Sequence, residues 1–296
     1  MSSLIGISQA VSELVRKVQG AIVSVGSRHA ASASGIAWEK DLVVTAAHAI
    51  ERDDKVSVVS SEGNCLEAEC IGTFLPADLA LLRVKGGELP AWERTARAEL
   101  ELGELVLALG RSGQRLRAKV GLVSFLGAEW RLGPGVRVDR YIESDIAPCP
   151  AFSAGALVRA DGTLIGVNSA RFGRGALVTL PTATVERVVA ALSERGRVRR
   201  AELGVAVHPV QLPSTLGQRL GQSAGLIVMA VRPDSPAERS GLMLGDVLLR
   251  LGDAVLGGVE ELENALGEGS IGQSLPLLLV RAGERLELRT EPREKA

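Results

Sequence analysis

The sequence predicts a mostly β protein whose first unit is a barrel or sandwich and whose second unit is a small α+β module. Three observations carry this prediction. Short apolar runs separated by Gly, Pro and Asp follow one another closely over residues 21–180, which is typical of antiparallel sheets. Helical spacing of apolar residues occurs in two short segments that flank this region. A mixture of strand and helix patterns then follows a basic stretch.

The first unit begins and ends with a predicted helix. Apolar residues recur at helical spacing over residues 8–18, which predicts an amphipathic helix. Residues 184–195 show the same spacing, with Thr184 as the predicted N-cap and Gly196 as the residue that ends the helix. Between the helices, the predicted strands include the runs AIVSV, LVVTA, KVSVV, LALLRV, LVLALG, AKVGLVSF, RYIESD, GALV, TLIGVNSA and GALVTL.

A basic stretch, RGRVRR, separates the two units. It contains no interleaved aromatic residues, which favours a solvated linker over a nucleic-acid-binding patch. The predicted organisation is a helix and lead-in over residues 1–20, a β domain over 21–195, a linker over 196–200 and an α+β domain over 201–296. The second domain contains the strand runs LGVAV, GLIVMAV, DVLLRLGD, LPLLLV and RLELRT, with short helices near 235–240 and 259–266.

The composition excludes several classes of function. The 296 residues include 34 basic and 35 acidic ones, so no overall field attracts nucleic acid or anionic lipid. No apolar run reaches the roughly 18 residues that a membrane-spanning helix needs. The N-terminus lacks a basic start followed by an unbroken apolar core. As given, the chain is therefore expected to be cytoplasmic, or periplasmic if a leader has been removed.

Cysteine usage does not indicate a disulfide framework. Cys65, Cys70 and Cys149 are an odd number in a chain too long to depend on disulfides. Cys65 and Cys70 are expected to be half-buried small apolar residues, and a disulfide across a hairpin is the alternative. The CxxC spacing and nearby histidines of a zinc site are missing, so no metal is expected.

Three residue types that carry nucleophilic catalysis occur in an informative order. His48 ends the strand-like run DLVVTAAH, Asp78 precedes the apolar run LALLRV, and Ser153 lies among small residues in APCPAFSAGALV. Each has an ordinary structural explanation: a core histidine, a turn aspartate and a loop serine. Together, the order His, Asp, Ser matches the chain order of a trypsin-like catalytic triad.

The motifs VVTAAH, DLALLRV and FSAGALV with DGTLIGVNSA resemble the HtrA family of trypsin-like proteases with attached PDZ domains. The resemblance covers nearly the whole chain and implies a double β-barrel protease domain followed by a small α+β PDZ domain. It implies that Ser153 is the nucleophile, His48 the general base and Asp78 the carboxylate that orients the histidine. The N–H groups of Ala151 and Ser153 would form the oxyanion hole. Ala147 would lie at the base of the specificity pocket and favour small or medium aliphatic residues, and no metal or organic cofactor is implied.

In the PDZ-like unit, the resemblance implies a groove that binds C-terminal peptides. Leu203, Gly204 and Val205 would accept an extended peptide as an added strand. Leu262 and Leu266 would line the groove, and simple core packing is the alternative for both leucines. Polypeptide substrates are further implied partners, and a homotrimer is expected by analogy with relatives. Neither nucleic acid nor a membrane span is expected.

Three segments depart from the family pattern. The stretch from Ala151 to Ala156 is AFSAGA where the family has GNSGGP, and an alanine held at positive φ at position 151 would cost on the order of 1–2 kcal/mol. The loop GRSGQ replaces GNPFG, and Glu202 stands where the family commonly has an aromatic residue. The main functional hypothesis is a serine endopeptidase for unfolded or damaged proteins. The alternatives are a weakly active or inactive scaffold that binds peptides, and an unrelated all-β binding protein.

Overall fold

The computed structural model describes residues 2–26, 33–50, 56–93, 99–132, 136–172, 175–199 and 201–295. The chain forms two compact units, of which the first contains residues 1–130 and 138–198 and the second residues 131–137 and 199–296. The later division between the units lies within the stretch 196–200 that the sequence predicts as a linker. Among the described residues, no helix is both long enough and apolar enough to cross a membrane.

The first helix, α1, spans Ser2–Val18 and is longer than the predicted segment 8–18. Its buried side chains are Leu14 and Val18, whereas Leu4, Ile5 and Ile7 are exposed. The first turns therefore have no buried face, and an apolar periodicity could not identify them. The helix is amphipathic only where it contacts the rest of the unit.

The first barrel is closed by antiparallel strands in the order β1-β2-β3-β6-β5-β4. Its strands β2 and β3 are buried along their whole length, which explains their apolar and small-residue sequences. The strands are β1 (Ile22–Gly26), β2 (Ala33–Ala37), β3 (Leu42–Ala46), β4 (Val56–Val59), β5 (Cys65–Phe74) and β6 (Leu79–Val84).

The second barrel is closed in the order β11-β14-β13-β12-β7-β8, and β9 and β10 pair separately as a two-stranded sheet. The strands are β7 (Leu105–Ser112), β8 (Arg115–Leu126), β9 (Trp130–Leu132), β10 (Val136–Val138), β11 (Ile142–Ser144), β12 (Ala156–Arg159), β13 (Leu164–Ser169) and β14 (Leu177–Pro181). Together the two barrels confirm the predicted double β-barrel.

Helix α2 (Thr182–Arg195) follows the second barrel and ends at Gly196, as predicted, with Gly196 in the left-handed conformation. The predicted N-cap is wrong, because the helix begins two residues before Thr184. Thr184 lies inside the first turn, where its hydroxyl donates a hydrogen bond of 2.9 Å to Asp139. The side chain therefore fixes the helix to a neighbouring loop instead of capping it.

The second unit has a sheet in the order β16-β17-β18-β20-β21, with β19 paired to β18 and β15 paired to β22. Helix α3 was not predicted, because none of its residues is buried. The elements are β15 (Ala201–Glu202), β16 (Val205–Gln211), α3 (Ser214–Leu220), β17 (Ala224–Val231), α4 (Pro236–Arg239), β18 (Val247–Leu251), β19 (Ala254–Val255), α5 (Val259–Ala265), β20 (Leu275–Arg281), β21 (Glu284–Thr290) and β22 (Arg293–Glu294). This arrangement confirms the predicted α+β module.

All three cysteines are free thiols. A disulfide across a hairpin is excluded for Cys65 and Cys70, because both residues lie on the single strand β5. Cys65 is exposed, contrary to the expectation of half burial, and Cys70 is half-buried as expected. Burial raises the pKa of the Cys70 thiol.

Candidate active site and peptide-binding groove

Strand pairing brings His48 and Asp78 together. His48 lies in a 3₁₀ turn directly after β3, and Asp78 directly precedes β6. These strands are antiparallel neighbours, with Ala46 opposite Leu79, so the end of one strand meets the start of the other. The Ala47 N–H donates to the Asp78 carbonyl at 3.0 Å and extends this contact by one residue. Asp78 itself has a left-handed backbone, with φ 54°, which ends the preceding 3₁₀ turn.

The Asp78 carboxylate holds both the backbone and the ring of His48. One carboxylate oxygen accepts the His48 backbone N–H at 2.9 Å, and the other lies 2.6 Å from the ring Nδ1. An ionised carboxylate only accepts hydrogen bonds, so Nδ1 carries the shared proton and Nε2 remains available as an acceptor. Asp78 is 6% exposed, whereas the His48 side chain is 57% exposed. The carboxylate is thus buried behind an accessible imidazole.

Ser153 follows a 3₁₀ turn over Pro150–Phe152 and is 5% exposed. The segment after it is fixed to β13, because the Ala154 N–H donates to the Asn168 carbonyl at 2.8 Å and the Asn168 N–H donates to the Gly155 carbonyl at 2.7 Å. These contacts hold Ser153 at the end of the second barrel's strands.

A cavity of about 560 Å³ contains the three predicted catalytic residues in its wall. Its lining residues are Ala33, His48, Asp78, Pro148, Cys149, Pro150, Ser153, Ala170 and Arg171. Within the described residues, no hydrogen bond joins Ser153 Oγ to the His48 ring. Ala147 is exposed and does not line this cavity. The structure therefore gathers the three candidate catalytic residues and leaves the predicted specificity residue outside the cavity wall.

The loop before Ser153 does not have the backbone conformation expected from the family pattern, which was positive φ at Ala151. The Ser153 N–H donates to the Pro150 carbonyl at 3.1 Å, and the Phe152 N–H donates to the Cys149 carbonyl at 2.8 Å. Ala151 lies inside the 3₁₀ turn and does not have positive φ. The expectation of strain at Ala151 is therefore wrong for this conformation, because a helical backbone suits alanine. The left-handed residue is Ala154, with φ 56°.

Sequence reasoning missed Ser34, a fully buried residue of β2 that contacts the nucleophile loop. The Ser34 hydroxyl donates to the Ala151 carbonyl at 2.6 Å and accepts the Arg111 N–H at 2.7 Å. The Ser34 N–H also donates to the Ser153 carbonyl at 3.2 Å. The only signal in the sequence was a polar serine among the small and apolar residues of this strand. Gly110 permits this close packing, since a Cβ there would lie 1.8 Å from the Ala151 carbonyl oxygen.

Arg111 belongs to the atypical GRSGQ segment, which the sequence predicts as a loop but whose first three residues lie in β7. Arg111 is 3% exposed. Its guanidinium donates to the carbonyls of Ile22 at 2.7 Å, Gln114 at 3.2 Å and Gln19 at 3.4 Å. Burial lowers the pKa of Arg111. The side chain thus connects the first barrel's leading segment to β7.

In the second unit, all five predicted peptide-binding residues line a groove of about 460 Å³. They are Leu203, Gly204, Val205, Leu262 and Leu266. The three leucines also belong to the buried core of this unit, so core packing and groove lining both apply to them. Strand β16 is an edge strand of the sheet, which leaves one side of its backbone available for an added strand.

Glu202 lines the same groove and is neutralised by two arginines. Its carboxylate forms ion pairs with Arg232 at 2.5 Å and Arg293 at 3.1 Å. Burial raises the pKa of Glu202, but the hydrogen bonds and charges of the two arginines outweigh burial and lower it overall. The two arginines therefore offset the negative charge that Glu202 brings to the groove wall.

Comparison with known families agrees with this architecture. Residues 33–167 match the family model of the trypsin-like peptidase domain, and residues 201–291 match that of the PDZ domain. A probable periplasmic DegP-like serine endoprotease of Hahella chejuensis is 30% identical over an alignment of 265 residues that covers 87% of this chain and 56% of the relative. A relative of the same description from Pseudomonas fulva is 32% identical over 86% of this chain and 54% of its own length. The chain thus spans about half the length of these curated relatives.

Solved structures of proteases are similar to this chain over nearly its whole length. The serine endoprotease from Yersinia pestis is 26% identical, with a TM-score of 0.77, and the match covers 96% of this chain and 98% of that one. The HtrA-type protease AlgW with a tripeptide is 27% identical, with a TM-score of 0.74 and coverage of 96% and 97%. With a closed double barrel, a matching peptidase domain and a matching PDZ domain, the chain belongs to the HtrA family of trypsin-like proteases.

Proposed function

We propose that this chain is a serine endopeptidase that hydrolyses unfolded or damaged polypeptides, with Ser153, His48 and Asp78 as its catalytic triad. The observation that carries this proposal is the double hydrogen bonding of His48 by the Asp78 carboxylate, in a cavity whose wall includes Ser153. The names of the relatives support the reaction class.

The proposed reaction follows from the positions of the proton-carrying atoms. Ser153 Oγ attacks the peptide carbonyl, and His48 Nε2 accepts its proton and then donates it to the leaving amine. Asp78 keeps the proton on Nδ1 and stabilises the imidazolium that forms. The missing Ser153–His48 hydrogen bond is compatible with this role, since such contacts commonly tighten only when substrate binds.

The oxyanion hole requires one rearrangement of the observed loop. The Ser153 N–H is bonded to the Pro150 carbonyl, so it cannot also stabilise an oxyanion. Rotating the Pro150–Ala151 peptide by about half a turn would remove this acceptor and turn the Ala151 N–H towards the same side. Ala151 and Ser153 would then provide the two donors, each of which contributes roughly 10²–10³ in rate.

The second candidate function is a weakly active or inactive scaffold that binds peptides through its PDZ domain. It is favoured by the same hydrogen bond between Ser153 and Pro150, which occupies a required donor. If the loop keeps this conformation when substrate binds, the attacking serine lacks electrostatic stabilisation of its product. The two candidates therefore differ in one peptide rotation.

We further propose that the PDZ groove binds the C-terminal end of a polypeptide. The free edge of β16 supports strand addition, and Leu203, Leu262 and Leu266 provide an apolar wall for the last side chain. The solved relative with a bound tripeptide supports peptide binding in this family. Arg232 adds a cation close to the groove, which suits a terminal carboxylate.

Four further properties that the sequence predicts are proposed here as well. They are domain limits at residues 21–195 and 201–296, a homotrimeric assembly, catalysis without a cofactor, and a preference for small or medium aliphatic residues before the cleaved bond. The names of the relatives support a periplasmic location over the cytoplasmic alternative.

Hydrolysis of a denatured protein such as casein tests the proposed function. Ser153→Ala should reduce the rate at least ~10³-fold, and the Ser153→Ala/His48→Ala double variant should lose little more, because the triad acts as a unit. Hydrolysis that survives Ser153→Ala in purified protein would refute the assignment.

A further inference from the structure

The catalytic cavity contains a cationic side chain that the proposed triad does not use. Arg171 lines the cavity, together with His48 and Ser153. It follows β13 by two residues, and its guanidinium donates to the Leu75 carbonyl at 3.3 Å. A hydrogen bond to a carbonyl orients the side chain but leaves its positive charge uncompensated.

The charge balance of the cavity wall points to an anionic partner for Arg171. The only carboxylate among the described lining residues is Asp78, and both of its oxygens are engaged by His48. Within the described part of the chain, Arg171 forms no ion pair. The cavity therefore presents one free permanent cation to whatever occupies it, since an arginine stays protonated at any physiological pH.

Arg171 lies close enough to the nucleophile to contact a substrate near the cleaved bond. It is three residues beyond Asn168, whose carbonyl accepts the N–H of Ala154, the residue after Ser153. Residues 170–172 form bends beyond the end of β13 and keep Arg171 in the wall of the cavity. A substrate segment of a few residues that fills this cavity of about 560 Å³ therefore contacts both Ser153 and Arg171. An arginine also has five N–H donors in a planar arrangement that matches a carboxylate.

We propose that Arg171 is a specificity-determining residue that favours substrates with an Asp or Glu side chain within three residues of the cleaved bond. This inference rests on the proposed peptidase function and names the substrate class of the same site. It acts in addition to any aliphatic preference at the cleaved bond itself. A lysine or arginine at the same substrate position is disfavoured, because like charges repel in the cavity.

Paired peptides test the inference. Acetylated and amidated peptides with one aliphatic cleavage site would carry Glu, Gln or Lys, in turn, at each of the three positions on either side of the bond. At low salt, the wild type should cleave the best Glu peptide about two- to fivefold faster in kcat/KM than its Gln partner, as expected for a partly exposed ion pair. Arg171→Gln should reduce that ratio to about one, and Arg171→Glu should make Lys preferred.

The control variant is Arg16→Gln, which removes the same charge from the exposed side of α1 and should leave the ratio unchanged. Equal Glu and Gln rates in the wild type, or a ratio that survives Arg171→Gln, would overturn the inference while leaving the peptidase function intact. The Gln peptide should still be cleaved by the wild type and not by Ser153→Ala, which tests the function separately.

A binding measurement keeps the inference testable if no peptide is cleaved. The full-length Ser153→Ala chain, labelled with ¹⁵N-histidine, would be titrated with the same peptides while the His48 ring signals are followed. The chain has three histidines, so the His48 signals can be assigned with a His48→Ala spectrum. The Glu peptide should bind about two- to fivefold more tightly than the Gln peptide, and Arg171→Gln should abolish the difference. Equal affinities would overturn the inference.

Discussion

The Ser153 N–H donates a hydrogen bond of 3.1 Å to the Pro150 carbonyl, inside the turn that carries the candidate nucleophile. This bond takes a donor that an acyl-transfer mechanism needs for the developing oxyanion. His48 and Asp78, by contrast, already have the contacts that a triad requires. In the proposed mechanism the general base His48 is therefore already oriented, whereas the oxyanion hole would depend on a rotation of the Pro150–Ala151 peptide.

Ala151→Gly should increase peptide hydrolysis and fluorophosphonate labelling of Ser153 about tenfold. A half-turn of the peptide from the 3₁₀ value near −60° brings φ of residue 151 to about +120°, a region that glycine enters freely and alanine resists by roughly 1–2 kcal/mol. Each 1.4 kcal/mol is a factor of ten in rate. Labelling rates would be measured with the folded state checked by circular dichroism.

Ala154→Gly is the matched control for this experiment. Residue 154 already has φ 56°, so glycine there relieves strain without freeing the Pro150–Ala151 peptide. Its labelling rate should change less than twofold. Equal acceleration by both variants would show that general loosening of the loop, rather than the peptide rotation, limits the rate.

Ser34→Ala should destabilise the first unit by about 2 kcal/mol. The substitution leaves the buried Ala151 carbonyl and Arg111 N–H without their partner, and an unsatisfied buried polar group costs about 1–3 kcal/mol. Urea unfolding followed by tryptophan fluorescence reports on this unit, since Trp38, Trp92 and Trp130 all lie in it.

Ser144→Ala is the control for Ser34→Ala, because Ser144 is equally buried, but among the described residues its hydroxyl makes a single hydrogen bond of 3.5 Å. If Ser144→Ala lost as much stability as Ser34→Ala, the short hydrogen bonds of Ser34 would not be the cause of the loss. That result would mean that burial of any serine hydroxyl in these barrels has the same effect.

Removing the cation that pairs with the buried Asp246 carboxylate should destabilise the PDZ unit. Arg281 contacts both oxygens of Asp246 at 2.8 Å, and Asp246 is 1% exposed. Arg281→Met leaves a buried carboxylate without its cation and should lower the free energy of unfolding by about 2–3 kcal/mol. The loss is smaller than for a fully buried pair, because the arginine is partly exposed to solvent. Amide hydrogen exchange of β18 and β20 measures this loss. Exchange as slow as in the wild type would contradict the prediction.

The same pair predicts a pH dependence of stability. Burial raises the pKa of Asp246, but the hydrogen bonds from Arg281 and Met243 and the arginine charge outweigh burial, so that pKa lies below its ordinary value of 3.8. The pair therefore stabilises the PDZ unit above pH 3.8, and this contribution is lost as the pH falls through the lower native pKa.

Hydrogen exchange of the PDZ unit at pH 6 and near pH 3 would compare the wild type with Asp246→Asn. The stability difference between the two proteins should be largest at pH 6 and shrink on acidification. A difference that is independent of pH would contradict the assigned titration.

A peptide with an apolar last residue should bind the PDZ groove at least ~10-fold more tightly as a free acid than as an amide. The free acid can accept backbone N–H groups at the groove and lies near the Arg232 charge. Isothermal titration with the full-length Ser153→Ala chain measures both affinities without cleavage. Equal affinities would argue against recognition of a C-terminus, and a loss of the preference in Arg232→Gln would assign part of it to this side chain.

The sequence predicted those parts of the site that depend on local strand patterns. His48 and Asp78 end or begin apolar strands, and the pairing of β3 with β6 brings them together. The contacts of Ser34 with Ala151 and of Arg111 with Ile22 join residues that are distant in sequence, and no local pattern indicates such pairs. The backbone of Ala151 also could not be predicted, because the family pattern describes a loop conformation that this chain does not have. Ala147 was placed by alignment alone, and its exposure depends on the path of the same loop.

Fluorophosphonate labelling with mass-spectrometric mapping of the modified residue measures whether Ser153 is an activated nucleophile. The wild type and Ala151→Gly should be labelled on Ser153, and Ser153→Ala should not be labelled. His48→Ala should be labelled at least ~10³-fold more slowly, because the general base is missing. Asp139→Asn, a carboxylate variant outside the cavity, should be labelled like the wild type. Modification of a different residue, or no labelling of either the wild type or Ala151→Gly, would contradict the claim that Ser153 is an activated nucleophile.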